Sequence, residues 1–185
     1  MNKIFWILFP SLVLLAACGR KPAASQESGP PPTVSNFIMK NMASEFPAEI
    51  HTTNFAGKVQ LVLFFRSDDP ACRGSIAELN SLQKDFADRG FTLVGAIVDD
   101  RHADQISDEA AALDATWPIG LADSRIVDAF GGSAAIRAIP SAFLIGRDGL
   151  VTRTYAGFEP IQNLRDDINC LLEGQPLPPR TPQKP

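Results

Sequence analysis

Apolar residues along the chain fall into short runs, and both secondary-structure periods are visible among them. Residues 60–65 (QLVLFF) and 91–98 (FTLVGAIV) are unbroken apolar runs rich in β-formers, the pattern of strands buried on both faces. Between them, residues 70–89 place Ile76, Leu79, Leu82 and Phe86 at helical spacing, and Gly90 supplies a stop. Residues 102–115 read as a second helix and 117–121 as a short strand or loop. Residues 123–130 read as a short helix, with Asp123 as N-cap and Gly131-Gly132 at its end. Residues 141–145 and 150–155 form two strands around Gly146-Arg147-Asp148-Gly149, a hairpin turn sequence. Residues 160–172 close the pattern as a helix opened by Pro160 and stopped by Gly174. The order β-α-β-α-(β)-α-β-β-α joins a parallel crossover half to an antiparallel hairpin and helix. A right-handed crossover then puts helices on both faces of a mixed central sheet, which predicts an α/β, three-layer α/β/α sandwich.

The ends of the chain follow different rules. Lys3 precedes an apolar run over residues 4–17, broken by Pro10 and Ser11. A bilayer-spanning helix needs about 20 apolar residues, so this run reads as a signal-peptide core. It ends in Leu15-Ala16-Ala17-Cys18, which resembles the lipobox of bacterial lipoproteins. The resemblance implies cleavage after residue 17, lipidation of Cys18 and membrane attachment through it, with an ordinary secretory signal as the alternative. Gly19 in second place favours the outer membrane if the cell is Gram-negative. Residues 18–34 and 175–185 hold most of the 15 prolines and too little apolar surface to fold. The expected organisation is therefore a signal peptide at 1–17, lipidated Cys18 and tether over 18–34, a domain at 35–174, and an extended Pro-rich tail at 175–185.

Composition narrows the function. The chain has 185 residues, 45% hydrophobic and 21% charged, with a net charge of -4. The mix is that of a globular domain, and without a Lys/Arg run there is no electrostatic footprint for nucleic acid. Three cysteines exclude a disulfide-dense scaffold and a four-thiolate metal cage, and the two histidines, His51 and His102, stand apart from any ligand partner. No metal or cofactor is expected.

Several motifs then align in order. Asn54-Phe-Ala-Gly-Lys-Val59 is similar to the F-x-G-K-V segment of membrane-tethered thioredoxins of the TlpA/ResA type, within the redoxin and AhpC/TSA-like superfamily. Residues 64–73 (FFRSDDPACR) occupy the place of F-W-A-x-W-C-x-x-C-R, and residues 78–82 and 96–99 continue the match. Residues 136–149, from Ile136 through Pro140 to Gly149, resemble G-V-x-G-x-P-T-x-F-L-I-D-x-D-G. The resemblance implies a thioredoxin-like fold, which the order of elements also suits, with a cis Ile139–Pro140 peptide shaping a substrate groove, thiol–disulfide or antioxidant oxidoreductase chemistry, and an envelope partner carrying a thiol or disulfide.

One position departs from that pattern. Dithiol chemistry needs C-x-x-C, in which one thiolate attacks and the other resolves. Here the four residues are Asp69-Pro70-Ala71-Cys72, a D-x-x-C. Asp69 before Pro70 is a favourable N-cap pair. Cys72, in the first turn, is the candidate nucleophile, since a helix N-terminus stabilises a thiolate. Asp68 and Asp69 oppose that effect, and Arg66 and Arg73 are expected to offset them in part. Cys72 also shares a helical face with Ile76 and Leu79, which directs it toward the core. A reactive thiol and a relict core thiol both remain open. A peroxiredoxin-like site using Cys72 would need a threonine where Asp69 stands and a proline where Phe65 stands. A Sco-type copper site would need a second cysteine. Cys170, after Leu164 and Ile168, reads as packing. Three readings follow: single-thiol redox chemistry at Cys72, a non-catalytic thioredoxin-fold binding module, and, more weakly, a thiol peroxidase.

Overall fold

The computed structural model describes residues 36–44 and 47–180. The expected signal peptide, the expected lipidation site Cys18, the expected tether and the last five residues lie outside the described residues. The sheet is built from β1 (Ile38–Asn41), β2 (Glu49–His51), β3 (Val59–Phe65), β4 (Phe91–Ile97), β5 (Ile119–Leu121), β6 (Ser141–Ile145) and β7 (Val151–Ala156). The helices are α1 (Pro70–Gly74), α2 (Ile76–Phe86), α3 (Ala103–Ala111), α4 (Ser124–Ala129), α5 (Gly132–Ala135) and α6 (Ile161–Leu172). The strand order is β2-β1-β5-β4-β3-β6-β7. β4 runs parallel to β3 and β5, whereas β6 and β7 return antiparallel. This is the mixed-sheet, thioredoxin-like α/β fold expected from the order of elements.

The period-2 alternation of β3 makes the layers. Leu61, Leu63 and Phe65 face one core with Cys72, Ile76, Leu79, Leu82, Leu164 and Ile168. Val62 and Phe64 face the other, with Ile126, Phe130 and Phe143. There the rings of Phe64, Phe130 and Phe143 meet edge to face at centroid distances of 4.9 to 5.6 Å.

Four features differ from the sequence expectation. The hairpin β1–β2 extends the sheet beyond β5; each of its strands buries little, Met39 and Met42 around β1 and Ile50 in β2. The helix expected over 70–89 is interrupted at Ser75, whose hydroxyl donates to the Cys72 carbonyl at 2.7 Å and competes for an acceptor of the helical ladder. The helix expected over 102–115 ends at Ala111, and Asp114 beyond it takes a positive φ of 53°. Residues 175–180 form neither helix nor strand, yet they pack on the fold: Leu177 lies against the first core, and Arg180 donates to Asp167 and to the Asn163 carbonyl.

At the centre of β4, Gly95 has no room for a side chain. A Cβ there would lie 2.5 Å from Trp117 Cζ3 and 2.9 Å from Phe65 Cε1. Gly95→Ala is expected to destabilise the fold by about 1–3 kcal/mol through overpacking, measured as a lowered midpoint in chemical denaturation. An unchanged midpoint contradicts this packing.

Candidate functional site

β3 ends at Phe65 and releases the loop 66–69 that leads into α1. The β3–β6 register pairs Phe64 with Ser141, so Pro140 stands beside this loop. The Ile139–Pro140 peptide is cis, and the Pro140 carbonyl accepts from the Gly157 N–H at 2.8 Å. Two distant parts of the chain are thus held together by strand pairing at one end of the sheet.

The loop is locked by charge. Arg66 donates twice to Asp68, at 3.0 and 3.1 Å, which holds the Asp68 carboxyl below its ordinary pKa. Ser67 is buried and donates to Glu109 on α3 at 2.7 Å. Arg101 donates to both Glu109 oxygens and to Asp99 at the end of β4. Its hydrogen bonds keep the Asp99 carboxyl depressed although that side chain is fully buried. The sequence had marked Asp99 only as the end of the matching segment 96–99, and nothing in it had singled out Arg101 or Glu109.

Asp69 caps α1. Its Oδ1 accepts from the Cys72 N–H at 2.8 Å, and Pro70 takes the first helical position. That bond holds the Asp69 carboxyl below its ordinary value, so the residue is anionic at neutral pH. Cys72 is 3% exposed. Burial first, then the Asp69 carboxylate, pushes its thiol up to about 11. At pH 7 only roughly one molecule in ten thousand carries the thiolate at such a value. The expected compensation by arginine is corrected here: the Arg66 side chain is committed to Asp68, and Arg73 is exposed on α1 and does not line the pocket around the thiol. Only a backbone hydrogen bond at Arg66 favours the thiolate, and it is outweighed.

Cys72 and Pro140 line one shallow, mainly apolar pocket of about 70 Å³ with Ser75, Tyr155, Phe158 and Glu159. Phe158 is 48% exposed on its rim. Cys170 is half-buried on α6 and is not among the lining residues, and both thiols are free. His51 contacts Glu49 at the far edge strand, and His102 precedes α3 on the surface. Among the described residues no group of three or more His, Cys, Asp or Glu side chains could hold a metal ion.

A second cluster went unread in the sequence. Asp167 is fully buried and accepts from Arg153 through both oxygens, from Tyr155 Oη at 2.7 Å and from Arg180 at 3.0 Å. Its signal was present, because Asp167 falls on the apolar face of α6 with Leu164 and Ile168, where a lone carboxylate needs partners.

The redoxin family model matches residues 27–168. A comparison with curated proteins returns no match. Among solved structures, a thiol:disulfide interchange protein of the thioredoxin family from Chlorobium tepidum aligns with a TM-score of 0.66 and 24% identity, covering 78% of this chain and 98% of its own. The thioredoxin domain of a thiol-disulfide oxidoreductase from Bacteroides vulgatus aligns at 0.60 and 18%, covering 74% and 95%. The pneumococcal exposed lipoprotein thioredoxin from Streptococcus pneumoniae aligns at 0.61 and 15%, covering 73% and 98%. Likeness at these identities shows the fold.

In a Cys170→Ser background, alkylation of native Cys72 is expected to accelerate about tenfold per pH unit from about pH 7 to about pH 10 without levelling. Asp69→Asn keeps a capping side chain but removes the charge, so the same curve is expected at lower pH. A plateau below about pH 8.5, where an ordinary thiol titrates, contradicts the account.

Proposed function

The chain belongs to the redoxin family, and from that premise we propose that it is a cell-envelope protein of the thiol–disulfide oxidoreductase class whose chemistry is limited to one thiol, Cys72. The observation that supports this reading is the shared pocket: the one cysteine at the head of α1 and the cis Pro140 line it together. Asp69, in the place of the attacking thiol, is committed to capping the helix. Lipid anchoring through Cys18 is part of the same proposal. It is supported by the Leu15-Ala16-Ala17-Cys18 motif, and among the described residues no helix is long and apolar enough to cross a membrane. Gly19 favours the outer membrane in a Gram-negative cell.

In the proposed cycle the Cys72 thiol loses its proton to solvent and the sulfur attacks a partner disulfide. A Cys72–partner mixed disulfide forms, and the displaced partner sulfur leaves as a thiolate and takes up a proton. With no second cysteine in the D-x-x-C segment, release requires an external thiol. That thiol attacks the partner's sulfur in the mixed disulfide, forms a disulfide with it and returns Cys72 to its reduced state. The thiol's resting protonation makes the first step slow at neutral pH, and the same high pKa makes Cys72 a poor leaving group when the external thiol releases it, so the mixed disulfide, once formed, is long-lived.

A second reading draws on the same pocket. A non-catalytic module that holds a partner segment against Phe158 and Pro140 is favoured by the protonated, 3% exposed thiol and the exposed aromatic rim. The two readings separate on incubation of the reduced chain with a peptide disulfide. Single-thiol chemistry predicts a mixed disulfide in the unsubstituted chain and in Cys170→Ser, and none in Cys72→Ser. Retention of the peptide by Cys72→Ser as firmly as by the unsubstituted chain, with no mixed disulfide in either, overturns the redox reading in favour of the binding module.

A further inference from the structure

The C-terminal segment runs back along α6 toward the pocket. The Gln175 N–H donates to the Cys170 carbonyl at 2.8 Å, near the end of the helix. Leu177 packs against the core that holds Cys72, Tyr155 and Ile168, and the Pro178 carbonyl accepts from Arg153. Arg180 then reaches the first turn of α6, donating to the Asn163 carbonyl at 2.8 Å and to Asp167 Oδ1 at 3.0 Å, with Nη1 3.7 Å from Glu159. Each of these acidic contacts leads to the pocket wall. Glu159 lines the pocket directly, and the other oxygen of Asp167 accepts from Tyr155, which lines it beside Cys72.

We propose that residues 175–180 form a strap over the edge of the domain, with Arg180 as the positioning residue that sets the Tyr155–Glu159 wall and so limits access to Cys72. It rests on the reading of Cys72 as the working thiol. Two arginines neutralise the buried Asp167 carboxylate. Withdrawing Arg180 leaves that carboxylate one hydrogen bond short, admits water to it and loosens the phenol it holds. The latch is also imperfect, because Arg180 Nε is buried without a hydrogen-bond partner. A contact with an unspent buried donor is easier to release than a fully satisfied one. The strap is thus a removable part of the wall, while Arg153 keeps Asp167 paired in its absence.

The test compares the chain, the chain ended at Gly174, Arg180→Ala and Arg180→Lys, all carrying Cys170→Ser. Cys72 is alkylated under native conditions with a small neutral reagent, and global unfolding is measured on each protein by chemical denaturation. Truncation and Arg180→Ala are expected to speed alkylation about tenfold, the size of one lost charge-assisted hydrogen bond, beyond what their unfolding equilibria account for. Arg180→Lys is expected to restore most of the original rate. Arg147→Ala, which removes contacts to the Gly57 and Arg89 carbonyls elsewhere, is expected to change the rate only through stability. If the truncated chain fails to fold, the two Arg180 variants decide the matter. Equal, measurable rates in all proteins, or acceleration that tracks global unfolding, overturn the strap and leave the single-thiol reading standing. No alkylation of Cys72 in any of them overturns both.

Discussion

The hydrogen bond from the Cys72 N–H to the Asp69 carboxylate is the constraint on which the site depends. It satisfies the head of α1 with a fixed anion, at the position that the resemblance to C-x-x-C assigns to an attacking sulfur. A helix N-terminus can stabilise a thiolate, but here its positive end is already answered by a carboxylate. The same carboxylate then raises the pKa of the sulfur three residues on, adding to the effect of burial. Capping and nucleophile activation draw on the same N–H groups, and in this chain capping has taken them.

The rest of the fold delivers the two halves of the site to one place. Strand β3, buried on both faces, ends where the capped loop begins, and its antiparallel partner β6 begins where the cis proline ends. The loop between is held from outside by Arg66 on Asp68 and by Arg101 on Asp99 and Glu109, so its shape does not depend on a disulfide. Strand pairing and ion pairs therefore hold both halves of the proposed site in place, and on the proposed reading the missing attacking thiol is the departure at residue 69 alone.

Much of this was legible in the sequence. The runs around Leu61–Phe65 and Phe91–Ile97 announced buried strands because a strand covered on both faces must be apolar at every position. The i, i+4, i+7 relation of Cys72, Ile76 and Leu79 foretold an inward thiol. Other features were not legible, each for a physical reason. β1 and β2 are four and three residues long, with too few buried side chains to show a period. The break at Ser75 depends on a hydroxyl choosing one carbonyl. Arg66 was expected near the thiol, and its choice of Asp68 instead is a matter of geometry between side chains. The tail looked unable to fold because its prolines dominate its composition, yet two side chains, Leu177 and Arg180, hold residues 175–180 in place.

If one side chain separates this site from a dithiol site, restoring it should restore the chemistry. The decisive measurement is disulfide turnover by Asp69→Cys, with a model protein disulfide as substrate and a small dithiol as electron source. The account predicts that the oxidised variant contains an intramolecular disulfide between positions 69 and 72 and that the reduced variant turns over substrate much faster than the unsubstituted chain, whose single thiol forms no such disulfide and must be released by the external thiol. A variant that folds but forms no such disulfide and shows no turnover contradicts the claim that the scaffold is intact and only the capping carboxylate withholds dithiol chemistry.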